Sequence, residues 1–205
     1  GDTLSPDNET TYTYGPSDTG TQTFQLTHQY LDDNPTDTAR DTYTINVMVT
    51  DDDGGTDTNQ RVATINNVLP VLTPISVSGD LIEGETVHVI TLFVDASILD
   101  TYAAQIDWGD GTATEPPTID VSSRSGTLSG SHVFIDQGTY MATIRVADDD
   151  MSGDFENGLV NVDYVERSLA IEILNADPEI VPFEPHFSDE GQSMVISGTF
   201  TDRGI

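Results

Sequence analysis

The chain has 205 residues, carries 36 Asp and Glu against 6 basic residues for a formal net charge of −30, and contains no cysteine. Its bases (Arg40, Arg61, Arg124, Arg145, Arg167 and Arg203) are too scattered to form a phosphate-binding stripe, so nucleic acid and anionic membrane are poor partners. Disulfides and thiolate zinc are excluded, and no stretch approaches the roughly 18 apolar residues of a membrane helix.

Taken in chain order, period-two alternation of apolar and polar residues predicts strands over 22–30, 42–49, 59–66, 71–78, 85–94, 101–108, 118–122, 127–134, 140–146, 158–165, 168–174 and 193–201. Tyr43, Ile45, Val47 and Val49 share one parity, and Tyr140, Ala142, Ile144 and Val146 repeat the pattern. Gly, Asp, Asn and Pro clusters separate these segments, and none has a helical period, so the fold class is all-β. Short strands with turn signals every eight to twelve residues or so fit a two-sheet sandwich whose inward side chains interleave as the core.

The chain also repeats itself. Thr42-Tyr43-Thr44-Ile45 through Asp51-Asp52-Asp53 returns as Thr139-Tyr140-Met141-Ala142 through Asp148-Asp149-Asp150, and Glu83-Gly84 through Phe93-Val94-Asp95 returns as Glu190-Gly191 through Phe200-Thr201-Asp202. Both spacings describe a unit of about a hundred residues, the size of one sandwich domain. A weaker echo sets Gly1-Asp2-Thr3 beside Gly109-Asp110-Gly111-Thr112. The expected organisation is therefore a partial repeat holding later strands over 1–70, a complete repeat over 71–176 and a partial repeat holding opening strands over 177–205. Linkers with Pro70 and Pro178 between the units are short and stiff.

Ile106-Asp107-Trp108-Gly109-Asp110-Gly111-Thr112, then Ser131-His132-Val133-Phe134, then Gly138-Thr139-Tyr140 leading a strand, closely resembles the PKD (polycystic kidney disease) domain in motif order and spacing. The resemblance covers the central repeat, and the first unit keeps its later half in His28-Gln29-Tyr30 and Asp41-Thr42-Tyr43. It implies tandem immunoglobulin-like sandwiches in a large secreted or surface-anchored bacterial protein, with Trp108, His132 and Tyr140 as core or corner residues.

In an immunoglobulin-like wiring one pole of the central repeat collects Asp95 and Asp100 with Asp148, Asp149 and Asp150, and the Asn66-Asn67 linker points at it. Carboxylates that converge without a counter-charge raise one another's pKa and push their loops apart, so a hard ion with six to eight oxygen ligands, Ca2+, is expected there. The far pole offers Glu83 and Glu85 toward Asn175, Asp177 and Asp202 as a second, partial site, and Asp51, Asp52 and Asp53 are equivalent in the first unit. Two alternatives stand beside this one: the acidic loops are solvated Asx turns, or the acid excess answers a salt-rich habitat. An EF-hand is excluded by spacing.

His28, His88, His132 and His186 stand in no nucleophile elbow, His-Glu-x-x-His or zinc spacing, so the chain is read as not an enzyme. The expected function is an extracellular or cell-surface structural or adhesive spacer, stiffened by Ca2+ between repeats, whose partners are its neighbouring repeats. The alternative is an accessory module of a secreted hydrolase that binds an extracellular polysaccharide or protein. That reading needs an exposed aromatic platform, for which Trp108 is the single tryptophan and Tyr12 and Tyr14 a small strip.

Overall fold

The computed structural model describes residues 9–16, 20–33, 38–151, 164–184 and 186–204. Among them the strands are β1 (Arg40–Thr50), β2 (Thr56–Asn66), β3 (Val71–Leu72), β4 (Ser76–Gly79), β5 (Thr86–Val94), β6 (Tyr102–Asp107), β7 (Thr118–Ser122), β8 (Ser125–Val133), β9 (Gly138–Asp148), β10 (Val165–Ile173), β11 (Glu179–Ile180) and β12 (Phe200–Thr201). No described residue is helical.

Alternation translates directly into packing. Along β5, Val87, Val89, Thr91 and Phe93 are buried while the residues between them face solvent. Opposite them Ala104 and Ile106 of β6, Ala142, Ile144 and Val146 of β9, and Ile171 and Ile173 of β10 turn inward and close one core with Trp108, Leu128 and Phe134. Two sheets enclose this core. One runs β3-β5-β8-β7, with β4 also paired to β5, and the other runs β10-β9-β6, all antiparallel. Lettered in chain order with β3 and β4 as A, these are an ABED sheet facing a CFG sheet, which is an immunoglobulin-like β-sandwich.

The predicted strand over 71–78 is split. Pro74 has no N–H to donate, and beside it the Leu92 amide donates to the Thr73 hydroxyl at 3.0 Å, so β3 and β4 pair separately with β5. Residues 22–30 form no strand, and of 193–201 only Phe200 and Thr201 are strand, paired with β11. An alternating sequence supplies a face, but a strand exists only where a neighbour takes up its backbone N–H and C=O groups. Most of the strand predicted over 158–165 lies outside the described residues.

Trp108 is stacked on His132 with centroids 4.8 Å apart, and the other face of the pattern is a chain of aromatic contacts from His132 to Phe134 to Tyr140. Gly109 is at φ +77°, and a Cβ there would lie 2.5 Å from the Met141 carbonyl oxygen, so the turn after Trp108 admits only glycine. Asp110 closes that turn by accepting from the Thr112 amide and hydroxyl, and it meets His132 Nε2 at 2.7 Å. Burial opposes its charge, but these Thr112 and His132 partners hold its carboxyl below the usual range.

Tyr140 donates its hydroxyl to the Asp136 carbonyl at 2.8 Å, the corner found at the start of strand F in such sandwiches. Tyr140→Phe is expected to cost about 1 kcal/mol in urea unfolding, the net worth of one such bond. A change below a few tenths would show that solvent replaces it. Tyr43 makes the related bond in the first unit, reaching across a longer loop to the Asp32 carbonyl at 3.2 Å.

Candidate metal centre

The β6–β9 register sets the site. Tyr102 lies opposite Asp148, so Asp100, just before β6, faces Asp149 and Asp150, just beyond β9. Asp95 follows β5 in the other sheet and is brought to the same pole by the Phe93 ring packing on Tyr102 at 4.6 Å. Carboxylate oxygens of Asp95, Asp100 and Asp148 fall within 4.8 Å of one another, and so do those of Asp100, Asp149 and Asp150. All five carboxylates expected at this pole are there.

Neighbouring bonds aim these groups. Asp95 uses one oxygen to accept from the Ala96 amide at 2.5 Å, and Asp148 uses one to accept from Asn67 Nδ2 at 3.0 Å. Asp149 accepts from the Thr101 amide and hydroxyl at 3.0 and 3.1 Å, tying the two loops together. What remains is a set of buried oxygens with no partner among the described residues: Oδ2 of Asp95, Oδ2 of Asp148 and both oxygens of Asp100. Asp95 and Asp148 are 8% and 4% exposed, so water does not freely replace the missing partners.

The electrostatics follow from this geometry. Burial first, then the neighbouring carboxylates, pushes Asp148 up to about 6 and Asp100 up to about 7, and raises Asp95. Asp150 is pushed up to about 8 by burial and by Asp33 beside it. Without a cation the site favours protonated acids. With one, its converging carboxylate oxygens suit a hard divalent ion, since Ca2+ ligands at about 2.4 Å from the metal lie within about 5 Å of each other.

Asp32 and Asp33, which sequence reasoning did not place here, form a third convergent group with Asp150. They come from the segment preceding β1, where the Tyr43 hydroxyl donates to the Asp32 carbonyl. Asp33 is 4% exposed and its Oδ2 also lacks a partner among the described residues. The readable signal is the acidic pair Asp32-Asp33 shortly after Tyr30.

Of the two linker amides, Asn67 reaches the site, whereas Asn66 turns back to accept from Arg40 Nε at 3.1 Å. The second set is not brought together. Glu83 is buried at 1% exposure and spends both oxygens on backbone amides, accepting from Gln137 at 2.7 Å and Ala176 at 2.9 Å. Glu85 is paired with Arg203, Asn175 donates to the Ala176 carbonyl, Asp177 is exposed, and Asp202 accepts from the Gly204 amide. Here N–H donors and a guanidinium supply the positive charge that a metal would bring. Asp51 accepts from the Gly55 amide at 2.6 Å, so the first unit's acidic triplet makes the β1–β2 turn.

No protein-family model and no curated protein matches this sequence.

Proposed function

We propose that this chain is a non-catalytic spacer, structural or adhesive, built of tandem PKD-like repeats and acting outside the cell or on its surface. Bound Ca2+ stiffens its repeat junction. The observation that carries the reading is the junction itself: the linker amide of Asn67 grips Asp148 where buried carboxylate oxygens converge without partners. Further support comes from the linker, where the Asn67 backbone N–H donates to the Ala39 carbonyl while its side chain donates to Asp148, so one short segment is held from both sides. Millimolar extracellular calcium matches the affinity of extracellular Ca2+ modules, with Kd about 10⁻⁴ to 10⁻³ M.

The rival reading, an accessory module for an extracellular polysaccharide or protein, draws no support from the aromatic residues singled out for its platform. Trp108 is 1% exposed, and Tyr12 and Tyr14, though 57% and 51% exposed, lie on a segment that forms no strand.

The test uses the cysteine-free chain. Spin labels at Thr58→Cys on β2 and Ser122→Cys on β7 report the distance between the hairpin and the sandwich. Addition of about 10 mM Ca2+ is expected to narrow a broad distance distribution to one peak, and chelation to restore the breadth. An unchanged distribution would overturn the stiffening role.

A further inference from the structure

We infer that the junction holds two neighbouring divalent cations, one within the central sandwich and one clamping the first unit's corner loop to it. This rests on the cation-binding reading above and adds the number, position and division of labour of the ions.

Three convergent groups share members in a way one ion does not satisfy. Asp95, Asp100 and Asp148 make the first, Asp32, Asp33 and Asp150 the second, and Asp100, Asp149 and Asp150 the third. Among the described residues, no group of oxygens within 4.8 Å mixes Asp32 or Asp33 with Asp95 or Asp148. A single Ca2+, whose ligand shell spans about 5 Å, therefore does not collect both ends. Asp100 and Asp150 belong to the linking group and are placed to bridge two ions, as shared carboxylates do. Each end also carries its own orphan: Asp95 Oδ2 and Asp148 Oδ2 at one, Asp33 Oδ2 at the other, all on side chains more than nine-tenths buried. Seven carboxylates meet at this seam, and one divalent ion offsets only two of those charges.

The two ions differ in what they require. The first is built from the ends of β5 and β9 and the start of β6, so the sandwich alone assembles it. The second exists only when Asp32 and Asp33 reach Asp150, so its occupancy reports docking of the first unit. Hard oxygen donors and water fill the remaining positions of both.

Equilibrium dialysis with radioactive Ca2+ counts the ions on the whole chain, in about 0.15 M salt to screen loose binding by the acidic surface. Wild type is expected to bind two. Asp33→Asn is expected to bind one, keep the calcium-induced rise in melting midpoint, and lose the narrowing of the spin-label distances. Asp51→Asn, in the hairpin turn, is the control and keeps two. One ion in wild type, or two in Asp33→Asn, overturns the two-ion centre while leaving calcium binding in place. No ion in wild type overturns the cation reading itself.

Discussion

Raising the pH from about 5 to about 8 in chelator is expected to destabilise the central sandwich by on the order of 3 kcal/mol, somewhat under half of the roughly 7 kcal/mol that the three folded values give before solvent screening of these half-buried groups is allowed for, and saturating Ca2+ to abolish or reverse that loss. In the unfolded chain these Asp groups release their protons near the ordinary value of 3.8, whereas in the fold Asp148, Asp100 and Asp150 hold theirs to about 6, 7 and 8. Between those limits the folded state binds more protons than the unfolded one. Stability is then present at low pH and is lost as pH rises through the folded values. A bound cation takes the place of the protons and binds more tightly as they leave. At a Kd of about 10⁻⁴ to 10⁻³ M, about 10 mM Ca2+ adds about 1.4 to 2.7 kcal/mol per ion, or roughly 6 to 20 °C in melting midpoint. Melting curves in CaCl2 against NaCl at matched ionic strength check this. An equal rise in both salts would show general screening, the behaviour expected of an acidic protein adapted to salt. Asp148→Asn should raise the chelator midpoint at pH 8, because it removes a buried charge, and should blunt the calcium response.

The second large effect is in the core. Trp108→Ala is expected to cost about 3 to 5 kcal/mol, a large share of the 5 to 15 kcal/mol typical of a domain. The ring is 1% exposed, stacks on His132 and meets Phe134 edge-on at 6.2 Å, and Gly130 is small where the indole and Ile106 crowd it. Its indole N–H has no partner among the described residues, so Trp108→Phe removes an unsatisfied donor along with part of the volume and should cost less than Trp108→Ala. Urea midpoints for the two variants measure both. A loss below about 1 kcal/mol for Trp108→Ala would contradict a core role. If such a stable variant also lost retention on an insoluble polysaccharide, the accessory-module reading would gain what it now lacks.

Local pattern and tertiary partnership divide the account of this protein between them. Strands such as Thr86–Val94 and Gly138–Asp148 were legible because period-two alternation follows from backbone pleating, wherever the chain finds a core to bury one face. The five aspartates of the central pole were legible for a related reason. Once strand order is known, antiparallel wiring dictates which loops share an end.

Partnership was not legible. The alternation of residues 22–30 matches that of real strands, yet no ladder forms there, because hydrogen bonding to a neighbour is a property of two segments. Glu83 and Asp95 read alike as acids beside a turn. Only packing decided that two backbone amides satisfy Glu83 and that Asp95 is left with an unpartnered oxygen beside two other carboxylates. Asp32 and Asp33 meet Asp150 in space although they lie far from it in sequence. Composition and periodicity are local quantities, and they establish an acidic, cysteine-free, all-β chain. Which carboxylates are paired and which converge unpaired depends on distances across sheets and between units, and only the tertiary structure sets those.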